Sequence, residues 1–346
     1  MSKLKIGFIG TGRICQGHHL PVWAAMPDVE IFAVCDIKPD VAQLVAEKYG
    51  VKHVFADYNE MLKMDEIAAV DICTPNDVHS AAGVASLNAG KHVMVEKPIA
   101  RTAAEAQVMV DAAKKTGRKL QVGQCIRFDA ASQALKRFAD AGDMGDVYYA
   151  RAQAIRRRGV PTWGVFTSKE KQGGGPLIDL GVHILDLTLW LMGHPKPISA
   201  AGVAYNKFGG RADVANAWGP WDPDEFTVED FAAGFIRFEN GASVMVETSF
   251  AANIEKDIFN TALMGTEGGC EYSPVRMFRE EHQTLLDVTP VGLPTVDRFQ
   301  RELQAFADAV INDTEPPVTG EQALIVSKIM DAIYESAETG REVTID

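Results

Sequence analysis

Six apolar runs in the first 124 residues, each set off from the next by a turn or a helix-like stretch, leave this chain few folds to adopt. They are residues 4–10 (LKIGFIG), 30–36 (EIFAVCD), 52–56 (KHVFA), 69–74 (AVDICT), 91–96 (KHVMVE) and 119–124 (KLQVGQ). Most are short and near-continuous rather than alternating, as strands buried on both faces are. Helical spacing with a glycine stop marks 41–50, 78–90 and 102–117. Thr102, with Glu105 three positions on, forms a capping-box pattern. Strand, helix, strand with short links predicts a doubly wound parallel α/β sheet over residues 1–122.

The first run closes as Gly7-Phe8-Ile9-Gly10-Thr11-Gly12. Gly10 allows a tight turn, and Gly12 lets the backbone approach a pyrophosphate. The helix that follows, entered through Arg13 and Ile14, offers that anion free N–H groups and a positive dipole end. Cys15 stands where a GxGxxG pattern has its third glycine, and it is small enough for close helix–strand packing. Glycines also end strands for steric reasons, but this position after the first strand and before a helix favours dinucleotide binding. Asp36 ends the second strand, where an acid can accept from the adenosine ribose hydroxyls; an ordinary strand-ending acid is the plainer alternative. Ile37 follows, with no Arg beside it to hold a 2′-phosphate, so NAD is favoured over NADP.

Ligands of such sheets sit outside the carboxyl ends of the strands. Thr74-Pro75-Asn76 and Glu96-Lys97-Pro98 end strands four and five, and Gln124 ends strand six. Charges and Pro also terminate strands as plain surface turns. The functional expectation puts Lys97 beside the nicotinamide and Glu96 on the cofactor side, with a cis Lys97–Pro98 bond to aim the lysine.

Beyond residue 123 the alternation stops. A helix at 129–142 precedes longer alternating strands at 146–156, a hairpin at 229–251 turning at Glu239-Asn240-Gly241, and further strand at 258–272. These predict an α+β domain over 123–346 with a large, mostly antiparallel open sheet and helices such as 296–312 on one face. The other face is expected to form a homodimer or homotetramer interface, with a solvated polar face as the alternative. Within GGGPLIDLGVHILDLTLWLMG (173–193), the glycines give a mobile or tightly turned approach and Pro176 suits a first helical turn. Asp179 and His183 then share a helix face. The residues alone leave two readings open: an acid–base pair, or a capping Asp and an ordinary half-buried His. Asp179, His183 and Asp186 could suggest a metal, but no other His or Cys cluster supports one, and none is predicted. Arg156-Arg157-Arg158 is either a solvated strand end or a source of one or two guanidinium groups for a polar or anionic substituent.

Composition narrows the classes. A chain of 346 residues with 47% hydrophobic content supports two packed domains. A net charge of −13 disfavours nucleic-acid and anionic-membrane binding. Five scattered cysteines without CxxC spacing read as free thiols in a reducing cytoplasm. The N-terminus lacks a signal-peptide pattern, and no apolar run approaches the ~18 residues of a membrane span.

Three motifs in order, IGFIGTGRI (6–14), EKPIA (96–100) and GGGPLIDLGVHILD (173–186), resemble the glucose–fructose oxidoreductase/inositol dehydrogenase (Gfo/Idh/MocA) family over nearly the whole chain. The resemblance implies a Rossmann domain followed by an α/β domain with a large open sheet, and NAD(P)-dependent hydride transfer on sugars or polyols. It makes Lys97, Asp179 and His183 the catalytic set. It also places Arg127 (in GQCIRFD) and Trp163 (in VPTWGVF) near substrate and nicotinamide, and Asn76 and His79 on the cofactor side. His183 is then the best general base for a hydroxyl proton, Lys97 stabilises the developing charge and Asp179 orients the site; a proton-accepting Lys97 stays open. Arg127, Arg156, Asp179 and His183 suit a polyol, and Trp163 is either a flat wall for a sugar ring or core packing. The expected activity is oxidation of a ring secondary hydroxyl of a sugar, glycoside or inositol, C3 of a glycoside among them. The alternatives are a glycoside-cleaving hydrolase that uses tightly bound NAD as transient oxidant, and a non-catalytic NAD-binding regulator, which would have little reason to keep all three residues.

Overall fold

The computed structural model describes residues 3–346. The chain divides into two compact units: residues up to Phe128 together with Asp297–Leu324, and Asp129–Val296 together with Ile325–Asp346.

In the first unit the apolar runs become β1 (Leu4–Ile9), β2 (Val29–Cys35), β3 (His53–Phe55), β4 (Ala69–Ile72), β5 (His92–Glu96) and β6 (Leu120–Gly123), in the order β3-β2-β1-β4-β5-β6. Every neighbouring pair is parallel. Near-continuous runs are needed because both faces are covered. Val70, Ile72, Val93 and Val95 enter one apolar cluster, while the alternating Ala69, Cys73 and Met94 enter the other. Strand order reverses between β1 and β4, which opens a crevice at their carboxyl ends. The predicted cap forms: Thr102 Oγ1 accepts from Glu105 N at 3.2 Å.

One expectation is corrected here. The helix Arg298–Ile311 belongs to the first unit, not to the face of the second sheet. Its Leu303, Phe306 and Ala307 pack into the cluster of Phe8, Leu20 and Trp23, with the Trp23 and Phe306 rings edge-on at 6.4 Å. Asp297 caps it, accepting from Phe299 N and Gln300 N. An amphipathic pattern declares an apolar face without saying which sheet covers it.

The second unit holds β7 (Val147–Ile155), β8 (Pro197–Tyr205), β9 (Phe231–Phe238), β10 (Ser243–Ser249), β11 (Ile258–Gly265), β12 (Gly268–Glu271), β13 (Arg276–Glu281), β14 (Thr284–Val288) and β15 (Val343–Thr344). They form one sheet, β14-β13-β12-β11-β7-β10-β9-β8-β15. Only β7 and β10 pair in parallel; β9 and β10 form the expected hairpin, Arg237 opposite Ser243. Ala150, Ala152, Ala154, Val244, Val246, Ala232 and Ile236 are buried on one face, where the helix Val182–Leu191 meets β7 and β11. Thr188 and Thr261 hydroxyls share a hydrogen bond of 2.7 Å there. Arg151, with Glu247 accepting its Nε and Nη2 at 2.9 and 2.8 Å, lies on the alternate positions. Among the described residues no helix is long and apolar enough to cross a membrane.

Candidate active site

At the end of β1, Gly10 has φ +84°, and a Cβ there would stand 2.9 Å from Cys73 backbone and from Thr74 Cγ2. The turn therefore excludes any side chain on both conformational and steric grounds. A Cβ on Gly12 would meet nothing within 4 Å, so the backbone at Gly12 has the open space an incoming phosphate needs. Cys15, in place of the third glycine, is fully buried and starts a π turn, Cys15–His19, that leads into the helix Leu20–Ala25. Asp36 ties the turn to β2. Its Oδ2 accepts from Thr11 N at 2.8 Å and Thr11 Oγ1 at 3.1 Å, and its Oδ1 from Lys38 N at 3.0 Å. Carboxylate oxygens accept more than one bond each, so the acid retains capacity for ribose hydroxyls. Thr74 Oγ1 and Gln124 Nε2, at the carboxyl ends of β4 and β6, are buried polar atoms without a protein partner. Orphaned polar groups are costly unless a ligand or water satisfies them. These residues fit a dinucleotide.

Other residues expected on the cofactor side are buried: Asn76, His79 and Glu96. Asn76 opens the helix Asn76–Asn88 directly after Pro75. The buried His79 has its ring nitrogens 2.7 Å from Pro98 O and 2.9 Å from Thr74 O, joining the ends of β4 and β5. Burial lowers its pKa, against the opposing pull of the two carbonyls. Glu96 is buried: Oε1 lies 2.8 Å from His19 Nε2, and Oε2 accepts from Lys97 N at 3.1 Å. His19 Nδ1 in turn lies 2.8 Å from Asp71 Oδ2, which also accepts from Trp23 Nε1 at 2.7 Å. Burial works against a charged His19, but the charge and hydrogen bond of Asp71, joined by Glu96, raise its pKa well above the ordinary value. Burial likewise opposes ionisation of Glu96, and the His19 bond and charge reverse it, so its pKa is lowered. An imidazolium thus bridges two carboxylates beneath Lys97. Asp71, His19 and Cys73 are close enough to hold an ion, and both ring nitrogens of His19 already face carboxylate oxygens at 2.8 Å.

Lys97 stands half-buried at the carboxyl end of β5, and the Lys97–Pro98 peptide is cis. Arg127 is 2% exposed, and its Nη1 donates to Gln322 Oε1 at 2.7 Å and Pro317 O at 3.3 Å within the first unit.

In the second unit, Pro176 leads into a π turn, Leu177–Gly181, that runs on as the helix Val182–Leu191. Asp179 lies in the π turn and His183 in the first helical turn. π turns inside helices recur at functional sites. The buried Glu229 holds this segment: Oε2 accepts from Gly175 N at 2.9 Å, and Oε1 from Leu177 N at 3.2 Å and Tyr334 Oη at 2.8 Å. Burial raises the Glu229 pKa against these donors. The neighbouring glycines are there for close approach, not mobility. A Cβ on Gly174 would stand 2.0 Å from Tyr334 Oη, and one on Gly175 2.2 Å from Glu229 O. Neither Glu229 nor Tyr334 was visible as a site residue; the bare glycine triplet, which calls for something packed against it, was the available signal. Glu229→Gln should cost about 1–3 kcal/mol by setting an amide N–H₂ against backbone donors. An unchanged urea midpoint would show that the clamp carries no load.

Of the three arginines only Arg156 reaches the candidate pair, with Nη1 3.9 Å from Asp179 Oδ2 while it also donates to Gly159 O at 3.0 Å. Its guanidinium carbon lies 4.9 Å from the Trp218 ring centre and 5.8 Å from that of Phe250. Burial lowers its pKa, with Asp179 opposing. Arg157 donates to Glu255 O, and Arg158 to Ala252 O and Asn253 Oδ1, so both are spent on loop contacts. Trp163 is half-exposed beside Trp218.

Residues 4–124 match the oxidoreductase family, NAD-binding Rossmann fold (GFO_IDH_MocA), and residues 136–345 match its C-terminal alpha/beta domain. The chain belongs to the Gfo/Idh/MocA oxidoreductase family. This family member is 36% identical to D-glucoside 3-dehydrogenase of Escherichia coli (strain K12) over 99% of this chain and 98% of that protein. It is 28% identical to scyllo-inositol 2-dehydrogenase (NAD(+)) of Bacillus subtilis (strain 168), over 99% and 97%. The solved structure of levoglucosan dehydrogenase in complex with NADH shares its fold, with a TM-score of 0.86 at 23% identity and 100% of both chains covered.

Proposed function

We propose that this chain is an NAD-dependent dehydrogenase that oxidises a secondary ring hydroxyl of a glucoside, with carbon 3 favoured by likeness to the Escherichia coli relative. The observation that carries the proposal is the clamped turn presenting Asp179 and His183, with Arg156 at 3.9 Å from the Asp179 carboxylate. Oxidising an alcohol requires a base for the hydroxyl proton while hydride leaves the carbon. NAD, when bound, supplies the hydride acceptor. His183 takes the proton, since an imidazole ordinarily titrates near neutrality. Asp179 orients the sugar, and Arg156 offers N–H donors to its oxygens. Lys97 donates to the oxygen as negative charge develops on it. Phe231, Phe235 and Met245, half-buried on the alternate positions of the second sheet, support assembly of a homodimer or homotetramer through that face. Five buried free thiols support a reducing cytoplasm.

A panel of glucosides, free pyranoses and inositols, followed by NADH absorbance, tests the reading, with the oxidised carbon located by NMR. Glucosides should react and yield the 3-keto product. Reaction only with acyclic hydroxy acids or aromatic diols would overturn it. Selectivity for NAD follows from Asp36, whose carboxylate would face a 2′-phosphate as a like charge. Asp36→Ser should narrow the NAD-over-NADP ratio of kcat/KM; an unmodified protein with equal efficiency on both cofactors would refute this role.

A further inference from the structure

The connection between β8 and β9, residues 206–230, contains no helix or strand, yet it is tied down along its length. Asp230 Oδ2 accepts from the backbone N–H of Lys207, Phe208 and Gly209, at 2.7, 2.5 and 3.0 Å. Trp221 Nε1 donates to Gly209 O at 2.7 Å. Farther on, Asn216 is fastened to the chain leaving β7: Oδ1 accepts from Val160 N at 2.9 Å, and Nδ2 donates to Val160 O at 2.9 Å. Thr162 Oγ1 donates to Trp218 O at 2.7 Å. A long, ordered connection without regular structure in a compact domain is more often a functional element than a plain link.

What this one delivers is Trp218. Its ring centre lies 5.1 Å from that of Trp163, at an interplanar angle of 58°, and 4.9 Å from the guanidinium carbon of Arg156. The same guanidinium approaches Asp179. Despite these contacts Trp218 and Trp163 remain 42% and 38% exposed, leaving indole surface beside a polar constellation uncovered. Neither ring can move a proton from a hydroxyl, so the pair has no part in the chemistry at the reacting carbon. Its faces match the C–H face of a pyranose, and Arg156 supplies N–H donors for oxygens between that ring and Asp179.

We infer that Trp218 and Trp163 form a second-ring subsite, which takes the aglycone sugar of a disaccharide whose glucosyl ring is the one oxidised. This rests on the glucoside reading and narrows it: a free monosaccharide or inositol leaves the indole pair empty. An aryl aglycone is the competing occupant.

The test compares a glucosyl-glucose disaccharide with methyl glucoside and phenyl glucoside. Binding to NADH-saturated protein is read by calorimetry, and turnover by NADH formation. The disaccharide should bind about tenfold more tightly than methyl glucoside, the effect of one well-stacked ring. Trp218→Ala should erase that ratio in both affinity and kcat/KM, and Trp218→Phe should restore most of it. Equal affinity for the two ligands, or a ratio unmoved by Trp218→Ala, overturns the subsite. Preference for phenyl glucoside alone overturns its identity as a sugar site. Tight, Trp218-dependent binding of the disaccharide without oxidation of any glucoside would instead sink the dehydrogenase reading and leave the subsite standing.

Discussion

Replacing His183 with alanine is expected to lower turnover by about 10²–10⁴-fold, the usual contribution of a positioned proton-transfer group. NAD should still bind, because the turn at Gly10–Gly12 and the Asp36 carboxylate belong to the first unit and His183 to the second. Lys97→Ala is expected to cost a comparable factor. The two roles separate with Lys97→Arg. Arginine keeps a positive charge and N–H donors but does not give up a proton in the working range. If Lys97 only stabilises the developing alkoxide, Lys97→Arg retains measurable turnover while His183→Ala does not. If Lys97 takes the proton, Lys97→Arg is as inactive as Lys97→Ala and His183→Ala is the milder variant. Turnover near that of the unmodified protein in either alanine variant would remove that residue from the catalytic set. Calorimetric titration of NAD into each variant guards against loss of the fold.

The parts of this protein that follow a local rule were legible in its sequence. Period and glycine punctuation are local, so the six parallel strands, the turn at Gly10, the Thr102 cap and the hairpin at Gly241 could all be read. Residues whose role depends on a distant partner could not. Arg127 follows β6, and only the fold brings Pro317 and Gln322 to meet it. Glu96 sits in the same charged triplet as Lys97, yet alternation along the strand end turns it inward to His19. Glu229 and Tyr334 are separated from Gly175 by 54 residues of chain or more, a distance no periodicity spans. The Trp218 connection is opaque for a related reason: without strand or helix it has no period, and only its hydrogen bonds reveal that it is ordered. One inward-facing group did leave a trace, since Asp71 interrupts the apolar run AVDICT, and an acid inside a buried strand calls for a buried partner.

That partner gives the second large effect. His19→Ala is expected to destabilise the first unit by about 3–5 kcal/mol at neutral pH, the range for removing one member of a buried ionic group. Both His19 and Asp71 side chains are fully buried, so the variant leaves the Asp71 carboxylate, and with it the largely buried Glu96, without the ring that bridged them. The pH dependence distinguishes this cause from a simple cavity. In the unmodified protein the folded pKa of His19 is raised, so its stabilisation is full below the unfolded value and is lost as pH rises through the folded one. Glu96 has a lowered folded pKa, so its contribution is present above the unfolded value and is lost as pH falls through the folded one. Glu302, buried with neither carboxylate oxygen hydrogen-bonded, has its pKa pushed well up by burial and by the neighbouring charge of Glu96. With its folded pKa above its unfolded one, it weakens the fold as pH rises from the unfolded value toward the folded one. The loss from His19→Ala should therefore be smaller at about pH 9 than at about pH 7, because the unmodified protein itself gives up the His19 contribution as pH rises from the unfolded imidazole value toward the folded one. Urea denaturation at the two pH values measures it, and His19→Gln, which keeps side-chain bulk without the charge, should follow the same trend. A penalty equal at both pH values would mean that the ring acts by filling space, and the imidazolium bridge between Asp71 and Glu96 would have to be abandoned.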